Sequence, residues 1–442
     1  MSRLTLPLIG DAIAFRRDAT QFLCQIAAEQ GDVARFRIGR RPAFLLNHPD
    51  LTRAVLVDQA ASFHKGRLMQ RARRLLGAGL LTSEGEFHRL ERRRIQPAFN
   101  RDQIRSAVAP TAGIVRALLP RWPTETVDLA AMADTLAMHL VTHALLGTSA
   151  TAELGQVHGA LRTLARAAPL LLLPGGAWIE RVPLPGIGRL SDAFGVVESA
   201  IARVTEHQEI DAPLLRAMQG GDSPLPPKQL RDEVMTLFLA GHDTTAATLI
   251  WALLLLRGHR SWAAELQAEV DSVLAGRDVS SDDLGRLPIA AAVIDETLRL
   301  YPPVGRIGRR PLVDVDLGVV TLPRDASVFV SPFVAHRDPR WFPEPDRFDP
   351  SRWRTPDPSR PRFASIPFGA GPRSCIGEHF ARAMLVMVLA TLCQQWEFAP
   401  SRDPLPPPRS LLTVKPRGRV LARKRGREYA PGSRSLSQRS VP

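Results

Sequence analysis

The sequence predicts a mainly α-helical single domain with small β-sheet regions and a basic tail. Three observations carry that expectation. Five long segments set apolar residues at spacings of three and four: Leu129 to Leu146, Gln229 to Leu256, Trp262 to Leu274, Ile289 to Leu300 and Cys375 to Leu392. Strand-like segments are short and few. The best are Val33 to Leu46, interrupted at Gly39, Arg40, Arg41 and Pro42, then Val313 to Thr321, interrupted at Gly318, and Val328 to Val330. No fixed-period repeat occurs and composition breaks only after about Val420, so residues 1–420 read as one domain and 421–442 as a tail.

The 45% apolar content of the 442 residues excludes disorder for most of the chain, while 38 prolines imply many loops and helix boundaries. A net charge of +14 raises nucleic acid or an anionic membrane as a partner, but its distribution argues otherwise. Only Lys65, Lys228, Lys415 and Lys424 are lysine; the other 54 basic residues are arginine, a skew that fits GC-rich codon usage better than phosphate binding. From Lys415 to Pro442 there are nine basic residues against one acid, Glu428, so the body is only mildly basic. No nucleic-acid partner is expected. A binding module built on the tail stays as an alternative, with steep salt dependence as its signature.

Cys24, Cys375 and Cys393 form neither a disulfide framework nor a paired zinc site, which points to a reducing, cytoplasmic compartment. The N-terminus lacks a long apolar core, and runs such as Ala383 to Cys393 fall short of the roughly 18 residues of a span. No signal peptide and no membrane span are expected, and the chain reads as a monomer.

The chemistry concentrates in Phe368-Gly369-Ala370-Gly371-Pro372-Arg373-Ser374-Cys375-Ile376-Gly377, a cysteine behind a glycine-rich turn and ahead of a helix starting near Ile376. Free amide hydrogens and the helix dipole favour a charged sulfur there, and the glycines admit a flat ligand. A packed, unreactive thiol fits the lone cysteine equally well. A dinucleotide-binding glycine loop fits worse, because position 374 is serine and no convincing strand precedes the turn. Ala240-Gly241-His242-Asp243-Thr244-Thr245 sets a carboxylate beside a hydroxyl within a greasy helix, which suits either a local opening of the helix ladder that holds water or a plain helix irregularity. Glu296 and Arg299, three apart, share a helix face. His139 and His143 lack the adjoining glutamate of a zinc-hydrolase motif, Leu140 standing there, so packing accounts for them better.

With Phe368, Gly371, Arg373, Cys375 and Gly377 in place, the loop resembles the cysteine-loop signature of the cytochrome P-450 family. Motifs similar to the family's others follow in its order across nearly the whole chain. The resemblance implies the cytochrome P-450 fold and a haem b cofactor (iron protoporphyrin IX), with Cys375 as axial iron ligand. A thiolate in that place favours cleavage of the oxygen-oxygen bond. Thr244 would orient dioxygen and Asp243 would relay protons. Glu296 and Arg299 would lock the long loop from His336 to Pro361, with Arg347 of Pro345-Asp346-Arg347-Phe348 completing the cluster. His88 and Arg92, one helical turn apart, together with Arg373 and Arg309, would meet the haem propionates; Arg310 beside Arg309 is the alternative.

The implied activity is hydroxylation or epoxidation using dioxygen and two electrons. A peroxygenase, isomerase or oxidative coupling enzyme is the nearest rival, and Asp243 with Thr244 argues against it. The apolar stretch Arg166 to Leu190, the Gln229 to Leu256 helix and the Leu411-Leu412 turn suggest a lipophilic substrate such as a terpenoid, fatty acid or polyketide. The chain carries no cysteine set for an iron-sulfur cluster, so electrons would come from a ferredoxin or flavodoxin with its reductase, docking around Arg89, Arg92, Arg93 and Arg94; a solvated basic helix is the alternative there.

Overall fold

The computed structural model describes residues 11–147, scattered positions between 155 and 163, and residues 187–206, 212–220, 224–410 and 413–426. Leu411, Leu412, the tail beyond Gly426 and all but the end of the stretch Arg166 to Leu190 therefore lie outside the described residues.

Six helices position the site: α1 (Gly85–Ile95), α2 (Leu129–Leu146), α3 (Pro227–Gly258), α4 (Arg260–Leu274), α5 (Pro288–Leu300) and α6 (Glu378–Gln395). Their apolar faces meet in one core that includes Val141, Ile250, Trp251, Leu298 and Met387. Local chemistry sets their ends. The Asp128 carboxylate accepts the amides of Ala130 (3.0 Å) and Ala131 (3.3 Å) at the start of α2, and Gly147, at φ +76°, stops it. Pro227 and Pro288 open α3 and α5, where a missing amide hydrogen costs nothing. The free amides of α5 are met from another helix: buried Glu269 of α4 accepts from Ile289 (2.7 Å) and Ala290 (2.9 Å). Helix α6 begins at Glu378, two residues beyond the expected start, because Cys375 to Gly377 form a turn.

Helices α2 and α3 are long and apolar enough to cross a membrane by length and composition, yet 72% of each apolar window is buried in the protein. They pack on each other, so their greasiness is that of a core.

The largest sheet has strand order β1-β2-β5-β4-β3, with β1 (Val33–Ile38), β2 (Arg41–Leu46), β3 (Phe63–Lys65), β4 (Ile307–Pro311) and β5 (Ser327–Val330). Only β2 and β5 run parallel. The expected strand Val33 to Leu46 is a hairpin turning at Gly39, which sits at φ +65°. Strand β4 escaped the pattern because Arg309 and Arg310 break its apolar alternation. The Val313 to Thr321 segment reduces to two-residue strands, Val315–Asp316 and Thr321–Leu322, around Gly318. A hairpin of β6 (Pro408–Ser410) and β7 (Val414–Pro416) lies further on. Residues Leu421–Gly426, which composition assigns to the tail, form a strand paired with Thr126–Asp128 and Trp396–Phe398.

The long loop after His336 is held by a buried ion pair. Glu296 and Arg299 are fully enclosed; Arg299 Nε and Nη2 donate to the carboxylate at 2.8 and 2.7 Å. Arg299 also donates to the carbonyls of His336 (2.9 Å), Pro345 (2.6 Å) and Arg347 (2.9 Å), while Glu296 accepts from the Asp349 amide (3.0 Å) and the Trp353 indole (2.8 Å). This corrects one expectation. Arg347 contributes only its carbonyl; its guanidinium points outward to Glu344 at 2.9 Å. The second arginine of the cluster is Arg352, whose Nε lies 3.5 Å from Glu296, in ion-pair range, with a side chain 10% exposed.

Removing one partner of a buried charge pair costs about 3–5 kcal/mol, whereas an exposed arginine is worth about 0.5 kcal/mol or less. Arg299→Leu is therefore expected to cripple the thermal stability of the folded protein, Arg352→Leu to lower its Tm clearly and Arg347→Leu to leave it nearly unchanged. Equal losses for Arg352 and Arg347 in thermal unfolding would overturn the corrected cluster.

Candidate active site

The cysteine loop is fixed by its own backbone. The Cys375 amide donates to Phe368 O at 2.8 Å, and the Ser374 amide to Gly371 O at 3.0 Å. Gly371, at φ +70°, is forced: a Cβ there would lie 1.9 Å from the Leu56 carbonyl oxygen. The Cys375 side chain is accessible to solvent, but protein surrounds it densely. Burial pushes its thiol up, Glu378 adds to that, and the Gly377 amide and Arg92 pull it down. Accessible yet closely surrounded by protein, the sulfur is free to ligate a metal, and metal binding would drive off its proton.

Beside the loop lies a concentration of cations. Lys65 on β3 and Arg309 on β4 are directly opposed cross-strand partners, a pairing of like charges that is unfavourable without an anion. Arg373 donates to Ser83 O (3.0 Å) and pairs with Glu84, and Arg92 donates to Ser374 O at 2.6 Å. The Lys65 ammonium is buried on the carbonyls of Leu80 (2.6 Å) and Ser83 (3.1 Å). Desolvation first, then Arg373 and Arg309, lower Lys65 to about 7, and burial followed by Arg373 lowers Arg309 to about 10, with Glu84 opposing the shift in both. Buried His88 is lowered to about 3 by desolvation and by Lys65, Arg373, Arg92 and Arg309. Arg310 points away and pairs with Asp325 at 2.6 Å, so Arg309 is the one facing the cluster. An unbalanced set of cations next to an accessible enclosed thiol fits a cofactor with a metal centre and carboxylates at its rim. A cavity of about 900 Å³ adjoins this region, lined by Phe63, His88, Arg89, Arg92, Phe99 and Arg373 among others.

The carboxylate and hydroxyl on α3 are held by separate partners. Asp243 accepts from Thr413 Oγ1 at 2.6 Å and from the Lys415 ammonium. Thr244 Oγ1 donates to Ala240 O at 2.6 Å, and α3 stays continuous there, so the hydroxyl leans on the helix ladder without opening it. Neighbouring His242 is buried with Nε2 2.9 Å from Asp134 of α2 and stacks on Phe238. His139 and His143 join no metal-ligating cluster among the described residues.

Sequence reasoning missed Lys65, Glu84, Thr413 and Lys415. One signal pointed to two of them: a chain that otherwise uses arginine keeps lysine at four positions, and both Lys65 and Lys415 sit in the site. The expected docking face is also thinner than its sequence suggests. Arg92 turns inward, and two of the exposed arginines carry their own acids, Arg89 pairing with Glu86 and Arg94 with Glu91 at 2.8 Å, beside exposed Arg93, Phe87 and Leu90.

Comparison with known proteins bears on this arrangement. The family model described as cytochrome P450 matches residues 2–156 and 198–422. The chain is 33% identical to cyclooctat-9-en-7-ol 5-monooxygenase of Streptomyces melanosporofaciens, over 90% of this chain and 88% of that one. It is 32% identical to cyclooctatin synthase of the same organism, over 93% of each. It is also 32% identical to pentalenene oxygenase of Streptomyces avermitilis, over 92% and 93%. The structure of retinoic acid bound cyanobacterial CYP120A1 superposes with a TM-score of 0.84, at 23% identity, over 95% of this chain and 97% of that one, which speaks to the fold.

The depressed basicity of His88 has a signed consequence. As pH falls from about 6.5 toward about 3, the unfolded chain takes up this proton before the folded one, so stability declines through that window and is insensitive to the group above it. Thermal unfolding from about pH 7 to about pH 5 should show a shallower decline for His88→Gln; identical slopes would refute the cluster's grip on His88. An anion bound among the cations weakens the effect.

Proposed function

This chain belongs to the cytochrome P450 family and is a haem-dependent oxidoreductase that incorporates oxygen into a lipophilic substrate, and we propose that its substrate is a cyclic terpenoid. The observation that carries the substrate class is that relatives matching about nine-tenths of the chain are named for oxygenating cyclooctat-9-en-7-ol and pentalenene. The apolar core helix α3, with Asp243 and Thr244 as its half-buried polar step, supports the same reading. The balanced reaction is RH + O2 + two electrons + two protons → ROH + H2O.

The cofactor we propose is haem b, with Cys375 as its iron ligand. When bound, it supplies dioxygen binding and the oxidising equivalent. The protein's contribution is placement and charge. The Gly369 to Gly377 turn fixes the backbone of Cys375 and leaves its sulfur accessible. Arg92, Arg309 and Arg373, with Lys65 and the neutral His88, supply the cations and donors for two carboxylates. Asp243 takes protons from the solvent side and passes them toward Thr244, whose hydroxyl orients water. That acid–alcohol pair favours dioxygen with electrons over preformed peroxide. Electrons come from a ferredoxin or flavodoxin with its reductase, which we place on exposed Arg89 and Arg93 with Phe87 and Leu90 as the apolar contact. We read the enzyme as cytoplasmic and monomeric.

The reduced, carbon monoxide-bound protein is expected to show a thiolate-type Soret band that Cys375→Ser abolishes; a band typical of neutral histidine ligation in the unaltered protein would refute the ligand assignment. Arg309→Gln should speed haem loss to a scavenger protein several-fold while Arg310→Gln does not, and the reverse order would exchange their roles. In labelled dioxygen, a cyclic terpene alcohol should gain one labelled oxygen atom, read by mass spectrometry. Turnover confined to polar, charged compounds would sink the substrate class.

A further inference from the structure

Asp243 is far better held than a proton-carrying carboxylate on a helix needs to be for packing alone. Both oxygens are engaged by side chains of one short stretch 170 residues away: Thr413 Oγ1 donates to Oδ2 at 2.6 Å, and the Lys415 ammonium to Oδ1. Thr413 and Lys415 are two apart at strand β7, so their side chains project from the same face. The strand itself is clamped. The Val414 amide donates to Pro303 O at 2.9 Å, and the fully buried Trp251 of α3 donates its indole N–H to Val414 O at 2.9 Å. Ser410, across the hairpin, accepts from Arg306 at 2.9 Å, and the buried Val414 side chain leaves room only for a glycine at 305. Two donors on a backbone fixed at both edges define one position for the carboxylate.

That position is a boundary. The side chains of Asp243 and Lys415 are 32% and 34% exposed, whereas Thr245 to Leu256, the next three turns of α3, are buried. A carboxylate has about four lone-pair sites; two bind the tether, and the others remain to accept a proton from water and release it. We infer that Thr413 and Lys415 are positioning residues for oxygen activation, holding Asp243 where it is recharged from solvent and discharges toward Thr244. The inference rests on the reading of Asp243 as proton carrier. In each passage an O–H bond of a solvent water breaks as the carboxyl O–H forms, bulk solvent returns the proton to that water, and the carboxyl O–H then breaks as its proton bonds to a water hydrogen-bonded toward Thr244. The carboxylate is regenerated and no electrons move, so the reductant is the one the overall reaction already uses.

The haem-loaded enzyme and its Asp243→Asn, Lys415→Met, Lys415→Arg and Thr413→Val variants separate the possibilities. Product formed per reducing equivalent and the solvent deuterium isotope effect report proton delivery; optical substrate titration and thermal unfolding report binding and stability. Lys415→Met is expected to lower product yield about tenfold, short of the roughly 100-fold or more contributed by a proton-transferring group itself. It should shift the isotope effect in the direction of Asp243→Asn, with substrate affinity kept. Thr413→Val should do the same more weakly, and Lys415→Arg should restore most of the yield. In unfolding, Asp243→Asn and Lys415→Met should be non-additive, as for directly coupled groups. If Asp243→Asn leaves yield and isotope effect unchanged, the proton-carrier reading fails and this inference with it. If Asp243→Asn is impaired while Lys415→Met leaves the isotope effect unmoved or loses substrate affinity, the tether is only structural, and if the two variants melt additively the two side chains are not coupled at all; either result overturns the inference alone.

Discussion

The enclosed pair of Glu296 and Arg299 is the constraint on which the site depends. Two opposite charges taken wholly out of water are costly, and the structure offsets that cost by giving every nitrogen of the guanidinium an acceptor and both carboxylate oxygens further donors. Those partners are mostly backbone groups of the long loop, so satisfying the charges also dictates the loop's path. The order propagates. Buried His336 hydrogen-bonds Arg299 O through Nδ1 at 3.2 Å and accepts the Ile366 amide on Nε2 at 2.8 Å. Two residues later, Phe368 O receives the Cys375 amide. Burial keeps His336 neutral by lowering it to about 3, so a single tautomer can serve both bonds. A chain of polar contacts thus runs from an ion pair in the core to the sulfur.

Much of this was legible in the sequence, and the reasons for the rest are physical. Helices such as Leu129–Leu146 were read to the residue because apolar side chains recur at spacings of three and four and the ends are marked by Asp128 and Gly147. The cysteine turn was legible because Gly371 answers a steric demand at Leu56. Arg352 was not, because a loop has no period to say which arginine turns inward; Arg347 lay on the exposed side and lent only a carbonyl. Strand β4 was hidden by arginines whose charge belongs to the site and whose backbone belongs to the sheet. Thr413 and Lys415 reach Asp243 only through tertiary folding, which no local pattern reports.

The two halves of the site are built on different principles. Around Cys375, cations are packed against each other at an energetic cost that an anionic cofactor repays, so this side is assembled for occupancy. Around Asp243 the charges are already matched within the chain, and the helix beneath is continuous. One side therefore waits on a ligand for its stability, while the other is preorganised from the start.

Lysine use in this chain has a practical corollary. Lys65 is buried on two carbonyls, Lys424 is buried with its ammonium 4.1 Å from the Trp396 ring, and Lys415 is paired with Asp243. Lys228, in the first turn of α3, is the exposed one. Among these lysines, amine-directed coupling to a dye or a solid support would favour Lys228, with the half-exposed Lys415 less reactive while its ammonium is held by Asp243. The same scarcity makes wholesale lysine-to-arginine exchange, an ordinary route to a sturdier surface, a poor choice at Lys65, since a planar fork does not fit where a compact ammonium is enclosed on two carbonyls.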